Sequence, residues 1–111
     1  MWLTFILAAA TSPSAGSPIG QEGVEYRTCI EREAKRMSKS KETAPTVATA
    51  AIEGCKERQE ALAIAMMANS FVDHPDWAIA YREQTIARAL EIFEERARNR
   101  AIFVVTNARA K

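Results

Sequence analysis

Two cysteines, one histidine, four methionines and a cluster of carboxylates are the side chains through which this chain could do more than pack. Cys29 and Cys55 can join as a disulfide, or lie reduced as two small apolar residues. His74, flanked by Asp73 and Asp76, has the makings of a general base or a metal ligand. Met37, Met66 and Met67 have the soft sulfur that an exported metal carrier uses. Glu91, Glu94 and Glu95 recur at helical spacing, as paired carboxylates would. Most of these features also have a plainer reading. His74 precedes a proline, a position that disfavours helix and marks an element boundary. A zinc site made from His74 and both cysteines lacks the clustered spacing of structural zinc sites. Met66 and Met67 are adjacent, so on a helix they point about 100° apart and do not converge. The three glutamates face no second acidic set and read as a solvated surface. There is no glycine-rich phosphate loop, no H-E-x-x-H and no G-x-S-x-G. The sequence therefore predicts no enzyme, no cofactor and no metal.

The elements that position the cysteines follow from periodicity. Tyr26, Cys29, Ile30, Ala34 and Met37 recur at steps of three and four and share one helix face. Val47, Ala51, Cys55, Leu62 and Met66 form a second stripe. The polar stretch Ser38–Ala44 separates them, and Pro45 suits the first turn of a new helix next to a cap at Thr43 or Ala44. In the resulting hairpin each cysteine lies about 14–17 Å from the bend, at matching height on antiparallel helices. A disulfide is geometrically reasonable, and its loop length is worth about 3–4 kcal/mol. The first helix is expected over Glu22–Met37 and the second over Pro45–Ala68. Gly54, Ala50 and Ala51 are expected to let the first helix approach closely, and the alanine-rich end to be central and buried all round. Asn69 and Ser70 are expected to end the second helix and Pro75 to open a third reaching Ala108. Ile79, Ile86, Leu90, Phe93, Ala97 and Ala101 form its stripe. At about 50 Å it is much longer than the others, so its C-terminal end is expected to overhang.

Ahead of the hairpin, Trp2–Ala10 is apolar apart from Thr4, and Thr11–Gly20 is small, polar and uncharged. This is the layout of a secretory signal peptide, residues 1–16, with cleavage after Gly16 or Ala10. A basic residue before the apolar run is missing. Residues 17–21 read as a disordered linker and 22–111 as one helical domain. The apolar run is too short for a membrane span. Export and a disulfide support one another, because disulfides persist in oxidising compartments. The net charge of +1 carries no nucleic-acid signature. Helix formers dominate after the leader, and no run alternates as strands do. The fold class is thus all-α: a disulfide-linked hairpin plus a long third helix, a three-helix bundle.

The last sixteen residues hold the most unusual composition. They contain five basic side chains and no acidic one, around Ile102-Phe103-Val104-Val105. A docking surface built from Arg96, Arg98, Arg100, Ile102, Phe103, Val104 and Val105 is one reading, with a protein partner or anionic lipid as its target. The other is that the basic residues suit the helix C-terminus while the apolar run packs on the first helix.

Tyr26-x-x-Cys29, a polar turn, then Val47-Ala48-x-Ala50-Ala51-x-x-x-Cys55 resembles small exported helical proteins with paired cysteines that are common in Proteobacteria. The resemblance covers the leader and the hairpin. It implies a periplasmic home and no activity. The leading expectation is a non-enzymatic binding protein, periplasmic or secreted, acting on a protein partner or an envelope surface and compatible with a homo-oligomer. An enzyme or metal carrier centred on His74 or the methionines is the second reading. A cytosolic helical protein that docks through Trp2–Ala10 is the third.

Overall fold

The structure is a computed structural model, and it describes residues 18–111. The proposed leader and both cleavage sites lie outside the described residues. Four helices follow in order: α1 Pro18–Met37, α2 Ala44–Gly54, α3 Lys56–Asp73 and α4 Ile79–Arg109. Among the described residues the all-helical class holds, but with four helices rather than three. α1 begins at Pro18, so residues 18–21 are helical rather than linker. Proline's fixed φ is pre-set for a first helical position.

The second expected helix is two. At Cys55 the backbone leaves helical geometry (φ −111°, ψ 24°), and its N–H bonds back to Ile52 O at 3.1 Å. Its own carbonyl then accepts from Arg58 and Gln59 to begin α3. Cys55 is bonded through sulfur to Cys29, S–S 2.14 Å and Cα–Cα 6.1 Å, so the break coincides with the staple. Gly54 precedes the break, where its low helix propensity costs least. A Cβ there would meet nothing closer than the Glu33 carboxylate at 4.0 Å, so Gly54 is not a close-approach residue. The cap of α2 is as expected: Thr43 Oγ1 accepts from the Thr46 N–H.

α1 and α4 each pack against all three other helices, while α2 and α3 meet only at their joint. Glu25 pairs with Arg58 at 2.6 Å, and the Tyr26 hydroxyl lies 3.5 Å from Gln59 Nε2. With the disulfide, these contacts make α2 and α3 one broken rod antiparallel to α1. Contacts from α1 to α4 join residues 69 and 70 apart, Glu31 with Arg100 and Gly23 with Phe93, so those two helices run parallel. Tyr26, Cys29, Ile30 and Ala34 of α1 meet Val47, Ala48, Ala51 and Ile52 of α2, Leu62 and Met66 of α3, and Ala97, Ala101 and Val105 of α4. Burying Ile30 or Leu62 is worth about 1.5–3 kcal/mol each. The small alanines let the helix axes close up without voids. The end of α3 is not apolar because it is central, for its outer face is open and Ile64 is 70% exposed.

Asn69 and Ser70 do not end their helix, which continues to Asp73 with His74 as its C-cap. Pro75 lies in the following turn and α4 starts four residues later. His74 stacks on Trp77 at 3.8 Å, and Trp77 meets Tyr81 edge-on at 4.8 Å. This aromatic ladder closes the turn, with Trp77 N–H bonding His74 O. The C-terminal end of α4 does not overhang. Arg109 donates to the carbonyls of Ser38, Ser40 and Glu42 and ties it to the α1–α2 turn. Between Arg82 and Ala97, by contrast, α4 has no fully buried residue.

Candidate functional site: a basic groove between α1 and α4

Parallel packing of α1 and α4 leaves a groove along one side of their seam. Its lower part, about 690 Å³, is lined by Thr28, Glu31, Arg32 and Lys35 from α1 and by Arg100, Phe103, Val104, Asn107, Ala108 and Lys111 from the C-terminal end. Its upper part is a smaller cavity of about 220 Å³ lined by Gly23, Tyr26 and Arg27 against Ala89, Ile92, Phe93, Arg96 and Ala97. On α4 the lining residues of both parts advance by steps of three and four and share one face, whereas on α1 Thr28, Arg32 and Lys35 of the lower part lie on a different face from Gly23 and Tyr26, with Arg27 and Glu31 between them. The groove carries Arg27, Arg32, Lys35, Arg96, Arg100 and Lys111 against one lining carboxylate, Glu31. Glu31 is already taken by Arg100, at 3.4 Å.

The predicted docking residues separate by helix face. Phe103 is 56% exposed in the groove, with the Arg100 guanidinium 5.3 Å from its ring centroid. Val104 and Arg100 line the lower part and Arg96 the upper. Val105 is fully buried in the core, and Ile102 packs against it. Arg98 faces α2, where it bonds Thr49 and pairs with Glu94. The seven-residue surface thus does not exist as one patch. Both sequence readings describe part of the segment, because consecutive helical residues cannot all face one way. Arg27, Arg32 and Lys35, which complete the groove, lie some seventy positions upstream. No sequence periodicity links them to the C-terminal helix.

Tyr26 closes the inner wall of the upper cavity. It is 1% exposed. Burial first, then the negative charge of Glu94, pushes its hydroxyl up to about 12, with Arg98 pulling the other way. It therefore stays protonated through the ordinary pH range. Gln59 ties it to Glu94, donating to the carboxylate at 3.2 Å. Glu94 thus belongs to a structural network, while Glu91 and Glu95 stay exposed on α4. His74 is a capping and stacking residue, Met66 belongs to the core, and Met37 packs against it. Among the described residues no group of three His, Cys, Asp or Glu is placed to hold a metal ion. None of the described helices is long and apolar enough to cross a membrane. What the groove offers chemically is a row of guanidinium and ammonium groups beside an exposed aromatic ring, suited to carboxylates next to apolar side chains.

No protein-family model, curated protein or solved structure matches this chain.

Proposed function

We propose that the protein is an exported, non-enzymatic binding protein whose α1/α4 groove takes an acidic, amphipathic segment of a protein partner. The observation that carries this reading is the charge of the lower groove. Arg32, Lys35 and Lys111 line the same groove as the exposed Phe103 ring, and the one lining carboxylate is already in an ion pair. An apolar anchor on Phe103 with flanking carboxylates on the cations matches that layout. A concave groove favours a protein segment over a lipid surface. The apolar face of a membrane-lying helix must be free, whereas α4 turns Val105 inward. Export is supported by the disulfide, which persists in oxidising compartments, and by the apolar leader in the sequence.

The test uses a fluorescent, helix-forming peptide of alternating Leu and Glu faces, with its Lys-for-Glu counterpart and phosphatidylglycerol vesicles as controls. Saturable binding of the acidic peptide alone is expected, weakening as salt rises. Arg32→Glu with Lys35→Glu should weaken it by about tenfold or more. Phe103→Asp should abolish it while shifting Tm by only a few degrees, since the residue is exposed. Val105→Asp, at a fully buried position, should instead unfold the domain. Binding to vesicles but not to the peptide would overturn the proposal in favour of an envelope surface. Peptide binding indifferent to charge reversal would overturn it outright.

A further inference from the structure

We infer that the upper cavity is a separate site for a small amphipathic anion: a carboxylate carried on an aromatic ring or a medium-length alkyl chain. The cavity combines three features. Its walls are mostly apolar, built by Gly23, Ala89, Ile92, Phe93 and Ala97. Its volume of about 220 Å³ exceeds the roughly 150 Å³ that suffices for a benzene molecule. Its two charged lining residues are both arginines, Arg27 and Arg96, one from each helix.

The register explains why the arginines converge. Contacts between α1 and α4 join residues 69 and 70 apart, Glu31 with Arg100 and Gly23 with Phe93, and Arg27 and Arg96 stand at the first of these offsets. They therefore flank the cavity at one height. Among the described residues neither forms an ion pair or a side-chain hydrogen bond. The positions that neighbour Arg96 one turn away on α4 are Ile92, Phe93, Asn99 and Arg100, none of them acidic. Arg27 has Glu31 one turn on, but that carboxylate is held by Arg100. Two unpaired guanidinium groups lining one apolar cleft suit a carboxylate, which their forks can bind through paired N–H donors.

Gly23 keeps the cavity's shape. A Cβ there would come 3.2 Å from Phe93 Cε1, so any side chain would press on the ring that forms the adjoining wall. Tyr26 lines the inner side as a neutral phenol and adds no charge that would repel an anion. The arrangement is that of a small-molecule site, apolar throughout with a few placed polar groups. The site does not depend on the peptide reading of the lower groove.

The experiment is calorimetric titration of the oxidised protein with octanoate, with octanol and octylammonium as controls, alongside a thermal melt of each variant. One octanoate per chain is expected, bound at least tenfold more tightly than either control. Arg27→Gln and Arg96→Gln should each weaken octanoate about tenfold and leave octanol unchanged. Ile92→Glu, at an exposed rim position, should abolish octanoate binding, and Gly23→Ala should weaken both octanoate and octanol. Arg32→Glu with Lys35→Glu should leave octanoate within twofold, which separates this site from the lower groove. Absence of saturable binding, equal affinity for octanol, or indifference to both arginine substitutions would each overturn the inference.

Discussion

Removing the Cys29–Cys55 bridge is the perturbation whose effect the structure defines best. The bridge spans 26 residues and joins the middle of α1 to the break between α2 and α3. In the chain-entropy model a loop of that length restrains the unfolded chain by about 3.5 kcal/mol at 25 °C. Small domains are stabilised by only about 5–15 kcal/mol in total, so the loss is a large share. For a domain of this size each kcal/mol moves Tm by about 4–8 °C, which predicts a fall of about 14–28 °C. The assay is thermal unfolding followed by circular dichroism at 222 nm on three samples: the oxidised chain, the same chain in reductant, and the Cys29→Ala/Cys55→Ala variant. Reductant isolates the cross-link from side-chain size, because both sulfurs remain. The double variant should fall slightly further, since Cys55 is fully buried and loses its packing. A fall of less than about 5 °C in both would refute the reasoning. It would mean that α1–α2 packing through Ala34, Val47, Ala48 and Ala51 is sufficient without the staple.

Two other outcomes follow from buried polar groups. Arg82 is 1% exposed, lies 4.0 Å from the centroid of the Phe71 ring, and donates to Ser70, yet among the described residues it has no carboxylate partner and its Nε is unpaired. Ser70 O also accepts from the His74 N–H, so Arg82→Met orphans no acceptor and should leave Tm within about 5 °C or raise it, whereas Arg82→Ala should cost about 2–4 kcal/mol. A large fall with Met would show that the charge itself is needed. Tyr26 ionises near 12 in the fold against 10 when unfolded, so between those values the unfolded chain has already lost the proton that the folded chain keeps. Stability is therefore fully present below pH 10 and should fall by about 2 kcal/mol as pH rises to 12. Denaturant melts across that window should show the decline, and Tyr26→Phe should flatten it.

The helical class, the stripe of the first helix and the pairing of Cys29 with Cys55 were legible in the sequence. These depend on local propensity and on apolar spacing of three and four, which every residue carries with it. The stripe from Tyr26 to Ala34 is the clearest case, and its buried members match the expected face. The break at Cys55 was not legible, because it arises where a cross-link to a distant helix interrupts a run that is otherwise a good helix. The turn at His74 was misplaced for a related reason. Pro75 marks a boundary, but stacking of His74 on Trp77 places the proline in a turn rather than at the head of α4.

Sequence alone determined that the C-terminal end is basic and apolar, and that one helix cannot present all of it to one side. Only the tertiary structure decided the division: Val105 to the core, Arg98 to α2, Arg109 to the α1–α2 turn, and Phe103 with Arg100 to the groove. Periodicity defines a face but not the rotation of one helix about another, nor the offset at which two parallel helices settle. That offset brings Arg27 opposite Arg96 and Glu31 opposite Arg100. It is set by the close packing of Tyr26, Ile30 and Ala34 against Ala97, Ala101 and Val105, a long-range fit that no local window of the chain contains.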